Sequence, residues 1–131
     1  MVYITLMINR IFLSAVAAMF FAFGYWSITA PLMMTSQLGV VVSGPAAAFE
    51  MRGVYGGISL GAALLCLGGA IHRTLQRPAL YFIATYMGGY VIGRAASLVA
   101  GDTAPTNSWI FAGFELVIFL CAATILQRSR K

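Results

Sequence analysis

The stretch A-A-A-F-E-M-R-G-V-Y-G-G-I-S-L-G-A-A-L-L-C-L-G-G-A-I, residues 46–71, decides the class of fold. A helix needs roughly 20 mostly apolar residues to cross the hydrocarbon core of a bilayer. This run exceeds that length and carries its two charges, Glu50 and Arg52, close to its start. Three further runs of the same kind, 11–28, 79–99 and 108–126, account for most of the remaining chain. Pro31, Pro45, Pro78 and Pro105 lie between the runs or at their edges, where a missing backbone donor does least harm, so each expected helix interior is free of proline. Over 131 residues, 61% are hydrophobic and 8% charged, with a mean hydropathy of +0.91. A soluble domain carries about 25% charged residues, so this composition excludes an ordinary soluble globule, a disordered tail and a collagen-like fibre. The expectation is an all-α integral membrane four-helix bundle, up-down-up-down, forming a single domain over residues 1–131.

Basic residues set the direction of the spans. Arg10 precedes the first run, Arg73 and Arg77 lie between the second and third, and Arg128, Arg130 and Lys131 follow the fourth. The connections 29–45 and 100–107 contain no basic residue. By the positive-inside rule both termini face the cytoplasm, and the net charge of +5 is a topology signal with some attraction to anionic headgroups. No nucleic-acid partner is expected; the lipid bilayer is. The first run is longer than the apolar region of a secretory signal, and its small-residue exit, Ala30, is followed at once by Pro31, so it reads as an uncleaved helix. The localisation that follows is multi-pass in a bacterial inner membrane.

Gly53, Gly57, Gly61 and Gly68 recur at steps of four, four and seven along one face of the second run, and Gly89, Gly93 and Ser97 repeat the device in the third. Lipid offers little hydrophobic drive for helices to join, so association depends on close backbone approach across small residues. These glycines are expected to pack the second and third spans together within the chain; the alternative is the seam of a homo-oligomer or of a larger membrane complex.

Charges within the apolar runs are the informative polar residues: Glu50, Arg52, Arg94 and Glu115. A charge at mid-bilayer costs roughly 2.5–3.5 kcal/mol on insertion scales, so such residues are generally paired or solvated. Arg94 and Glu115 stand at similar distances from the connection 100–107, which places them at the same depth of an antiparallel hairpin and within reach of a salt bridge. Tyr86 and Tyr90 precede Arg94 at steps of four, so two phenols and a guanidinium share one face of the third run. Glu50 shares the face of Gly53 and Gly57 and is expected to turn inward with them, whereas Arg52 is displaced by about 200° around the helix. Arg52 reaches either the headgroups or Glu115 from another side. A structural ion network is one reading of these groups. The other is a ligand site opening to the non-cytoplasmic side, with Glu50, Tyr86, Tyr90, Arg94 and Glu115 around a small cavity.

The segment Glu50-Met51-Arg52-Gly53-Val54-Tyr55-Gly56-Gly57, E-x-R-G-x-Y-G-G, resembles the start of the second helix in an uncharacterised bacterial family of small four-helix membrane proteins, described as a domain of unknown function. Gly93-Arg94 late in the third run and Glu115 in the fourth fit the same family. The resemblance extends over nearly the whole chain and implies the fold and the importance of Glu50, Arg52, Gly53, Tyr55, Arg94 and Glu115, but no reaction. In shape alone the architecture is also similar to four-helix proteins that accompany membrane oxidoreductases or hold sterol-like ligands. Four-helix multidrug exporters fit less well, because their essential glutamate lies in a first span that here contains no acid.

The chain contains no H-E-x-x-H, phosphate-binding glycine loop or G-x-S-x-G elbow, and no lysine within the apolar runs. His72 sits alone at a helix end, and Cys66 and Cys121 lie in separate runs without metal or disulfide spacing. Neither a catalytic residue nor a metal or cofactor is expected. The leading expectation is an accessory or scaffold subunit, and the alternative is a binding or transport protein for a small lipophilic or anionic molecule.

Overall fold

The computed structural model describes residues 2–128. Its elements are α1 (Val2–Thr29), α2 (Pro31–Gln37), α3 (Gly44–Met51), a π-helical segment (Arg52–Gly57), α4 (Ile58–Ile71), α5 (Arg73–Ala100) and α6 (Thr106–Arg128), with no strand among the described residues. α3, the π segment and α4 run on as one rod, Gly44–Ile71. Leu6–Thr29, this rod and Thr106–Arg128 are the helices long and apolar enough to cross a membrane. α5, which contains the expected third span 79–99, has the length of α1 at 28 residues. Its apolar run is diluted by Tyr81, Thr85, Tyr86, Tyr90, Arg94 and paired glycines, and it falls short of the other three.

Local chemistry accounts for the boundaries. Pro31 and Pro45 stand in the first turns of α2 and α3, where the backbone N–H has no helical partner to lose. α5 closes on Gly101 at φ 84°, with Gly101 N–H donating to the Leu98 carbonyl at 3.1 Å and Asp102 N–H to Ser97 at 3.0 Å. That pair of bonds is the Schellman arrangement, which needs a left-handed residue at its corner. α4 and α5 are separated by His72 alone, in extended conformation at φ −105° and ψ 124°. Because α5 therefore begins at Arg73, Pro78 falls inside a helix, contrary to the expectation that all four prolines stay outside. It is the sixth residue of the helix, past the first turn, so it costs α5 one i→i−4 hydrogen bond.

α1 packs antiparallel against the rod. Near one end Asn9 Nδ2 donates to Gln76 Oε1 at 3.1 Å and Arg10 Nη2 to the Ile71 carbonyl at 3.4 Å; near the other, Arg52 Nε donates to the Ile28 carbonyl at 2.9 Å. The core is one cluster drawn from α1 (Leu13, Val16, Ala17, Phe20), α4 (Ala62, Ala63, Cys66, Ala70), α5 (Ala79, Leu80, Ile83, Met87) and α6 (Ile118, Ala122, Leu126). These positions recur at steps of three and four, as one face of a helix requires. Outward, Phe21, Leu64, Ile92, Val117 and Leu120 are more than half exposed. Apolar surface on that scale is a liability in water and ordinary against lipid, and with three helices apolar enough to cross a membrane it suggests a membrane protein.

Of the glycines expected to bring helices together only Gly68 does so, a Cβ there lying 3.0 Å from Leu75 Cδ1 on α5. A Cβ placed on Gly53, Gly61, Gly89 or Gly93 meets nothing within 4 Å, and one on Gly57 meets only the Arg52 carbonyl of its own segment at 3.8 Å. Close approach occurs at Gly56, where a Cβ would sit 2.5 Å from Ile28 Cγ1, at Gly69, 2.8 Å from Ala79 Cβ, and at Gly24 and Gly88 against Leu60 and Phe119. The rod turns a different face inward. Ile58 N–H bonds back to Gly53, five residues rather than four, and the wider turn shifts the phase of the helix. The buried face of the rod runs Gly56, Ser59, Ala62, Ala63, Cys66, Gly69, Ala70, a small-residue face made mostly of residues other than glycine.

Candidate functional site

A cavity of about 740 Å³ lies among α1, the π segment, α5 and α6, at the end of the helices that carries the connections 38–43 and 101–105. Each wall follows from the helical repeat. Phe20 and Phe23 are three residues apart on α1, Tyr86, Tyr90 and Arg94 four apart on α5, and Phe111, Glu115 and Ile118 three or four apart on α6. Tyr55 enters from the π segment, its ring edge-on to Phe23 at 6.3 Å and 83°. Phe23 also meets Phe111 at 5.8 Å, so three elements share one aromatic wall. Such edge-to-face contacts contribute about 0.5–1.5 kcal/mol each beyond area burial.

The polar wall comes from α5 and α6. Arg94 Nη2 lies 3.0 Å from Glu115 Oε1 and Nε 3.1 Å from Oε2, a two-pronged ion pair. It is the one ion pair among the described residues, with the Arg94 side chain 40% exposed and that of Glu115 12%. One turn and two turns below Arg94, the hydroxyls of Tyr90 and Tyr86 lie 3.3 Å apart. Tyr86 stacks on Phe82 at 5.4 Å and 17° and leans on Phe20 at 6.0 Å, which fixes the phenol pair against the core. Across the mouth, the chain after α2 brings Leu38 and Val40 into the lining. It is tied to α6 by Ser108 Oγ donating to the Leu38 carbonyl at 2.9 Å and by Asn107 Nδ2 donating to Gln37 Oε1 at 3.2 Å.

Of the residues singled out from sequence, Tyr55, Tyr86, Tyr90, Arg94 and Glu115 come together here, with Gly89 and Gly93 in the wall. Glu50 and Arg52 do not. They flank a separate shallow depression with Pro45, Phe49 and Gly53, and Glu50 is exposed rather than turned inward. The expectation for Glu50 assumed that it shares an inward face with Gly53 and Gly57, which themselves point outward. Arg52 does not meet Glu115, which pairs with Arg94. Its Nε caps a carbonyl in the last turn of α1, where a cation is favoured. Arg130 and Lys131, two of the basic residues on which the expected orientation rests, lie outside the described residues. Among the described residues no three of His, Cys, Asp and Glu converge as a metal site would require.

The aromatic wall, Phe20, Phe23 and Phe111, was not among the site residues read from sequence. The three-residue step of Phe20 and Phe23 is visible, but α1 is apolar all round, so periodicity offers no contrast between a cavity face and a lipid face. No curated protein and no solved structure matches the chain. The sequence model of one family, described as a domain of unknown function, DUF4345, matches residues 8–126, and the chain therefore belongs to the DUF4345 family.

Proposed function

We propose that this chain is a four-span protein of a bacterial inner membrane, with both termini cytoplasmic, that binds a small lipophilic molecule in the cavity beside Arg94. The observation that carries the reading is the cavity itself: about 740 Å³, walled by aromatic rings on three elements, with an ion pair and two phenols on one side. Sites for small molecules typically measure roughly 300–1,000 Å³ and combine apolar walls with a few convergent polar groups. The Arg94–Glu115 pair makes crossing tolerable for α5, the least apolar long helix, because each charge enters the membrane already neutralised. The role is binding rather than catalysis. Glu115, the acid in the cavity, is held in two hydrogen bonds to Arg94 and is not poised against a nucleophile.

A second reading, an accessory subunit in a homo-oligomer or larger complex, is supported by one feature. Gly53, Gly57 and Gly61 leave a smooth outward strip on the rod that nothing within the chain occupies. The two readings are compatible, since the strip and the cavity are on different surfaces.

Gly89 offers the test. It lines the cavity, and a Cβ there meets nothing within 4 Å. Gly89→Leu should fold as the parent does and fill the space. In lipid nanodiscs, the neutral fluorophore 6-propionyl-2-(dimethylamino)naphthalene should bind the parent saturably and the variant not at all. Equal binding to both would mean that the cavity is not the site.

A further inference from the structure

We infer that the occupant of the cavity is an uncharged, flat lipophilic molecule that presents a carbonyl oxygen to Tyr90 and Arg94, and not an anion. The inference rests on the binding reading above and specifies its ligand. It follows from a count of charges and hydrogen-bonding groups. Arg94 is paired at 3.0 and 3.1 Å with both oxygens of Glu115, so the polar wall has a guanidinium but no net charge. A free arginine at this depth would recruit an anion; an arginine already neutralised would have to release Glu115 first, leaving a largely buried carboxylate without a partner.

Donors nevertheless remain. A guanidinium has five N–H groups and two are spent on Glu115; the three phenols of the lining, Tyr55, Tyr86 and Tyr90, have three O–H groups and the bond between Tyr86 and Tyr90 consumes one. The cavity therefore keeps unspent donors and carries no net charge, which a ketone, quinone or amide oxygen complements and a carboxylate or ammonium group does not. The rest of the ligand is read from the opposite wall. Phe20, Phe23, Tyr55 and Phe111 present ring faces and edges and no charged group, a surface on which a planar conjugated ring packs with offset or edge contacts.

Two probes that share one ring system separate the outcomes: the neutral ketone 6-propionyl-2-(dimethylamino)naphthalene, whose emission moves to the red when its carbonyl accepts a hydrogen bond, and the anionic 6-(dimethylamino)-2-naphthoate. With the full chain in neutral nanodiscs, the ketone should bind saturably and the carboxylate about tenfold more weakly or worse, a difference of roughly 1.4 kcal/mol. Bound ketone should emit to the red of ketone dissolved in the same lipid, and Tyr90→Phe should reduce that red shift. Glu115→Gln, which frees the arginine, should reverse the preference in favour of the carboxylate. If the carboxylate binds the parent more tightly, the inference fails while the binding reading stands. A bound-state emission indifferent to Tyr90→Phe and to Glu115→Gln overturns it as well, since a pocket that takes any lipid-like chain would behave so. If neither probe binds saturably, the binding reading fails and takes the inference with it.

Discussion

Replacing Arg94 with leucine removes the partner of a carboxylate that is only 12% exposed, whereas replacing Glu115 strands a guanidinium that is 40% exposed. The two changes should therefore not cost the same. Breaking a fully buried ion pair costs about 3–5 kcal/mol, chiefly because a desolvated charge is left behind. Arg94→Leu should lie near the lower end of that range, at about 3 kcal/mol. Glu115→Leu should cost about 1–2 kcal/mol, because the exposed part of the guanidinium can recruit water at the cavity mouth. The double variant leaves no charge to solvate and places two leucines between α5 and α6. It should fall within about 1 kcal/mol of the parent, so the coupling between the sites is about 3–5 kcal/mol. Equilibrium unfolding in mixed micelles with increasing sodium dodecyl sulfate, followed by circular dichroism, measures all four proteins on one scale. Additive losses in the double variant, or a larger loss for Glu115→Leu than for Arg94→Leu, would refute the reasoning.

Gly56→Val should destabilise the fold by about 1–3 kcal/mol, because a Cβ at that position runs into Ile28, whereas Gly61→Ala, with open space around it, should be neutral in the same unfolding assay. Asn9 and Gln76 are both buried and share one hydrogen bond, yet Asn9 Oδ1 and Gln76 Nε2 have no partner. Asn9→Leu alone should cost about 1–3 kcal/mol by isolating the Gln76 amide, and the double change to leucine should recover most of that loss. For topology, Val41→Cys and Asp102→Cys should react with a membrane-impermeant maleimide in intact spheroplasts, and Arg77→Cys only after permeabilisation; labelling of Arg77→Cys in intact cells would contradict cytoplasmic termini.

The helices and the main polar contact could be read from the residues, because both rest on signals that survive in lipid. An apolar run of sufficient length is plain in Leu6–Thr29, Gly44–Ile71 and Thr106–Arg128 but not in α5, which falls short of them, and two opposite charges at similar distances from a short turn must stand side by side if the flanking helices are antiparallel. Arg94 and Glu115 satisfy that condition, and Tyr86 and Tyr90 follow by helical repeat. The interior faces of the apolar helices could not be read in the same way. In water a buried face differs from an exposed one in polarity; in a bilayer both are apolar, so Phe20 and Phe23 carry no mark that separates them from Phe21, which faces outward at 60% exposure. The glycine pattern failed for a different reason. A step of four aligns Gly53, Gly57 and Gly61 on one face but does not say which face packs, and that strip points outward. Glu50 was misplaced with it. The face that does pack, from Gly56 to Ala70, would have emerged from counting Ser, Ala and Cys with glycine as small residues.

The central claim is that the cavity holds a small molecule in the native membrane, and mass spectrometry of the intact protein released from that membrane in mild detergent tests it most directly. The parent should leave the micelle with an added neutral mass that collisional activation removes, and Gly89→Leu, prepared in parallel, should leave without it. A parent that carries no adduct, or an adduct of equal occupancy on Gly89→Leu, would contradict the claim.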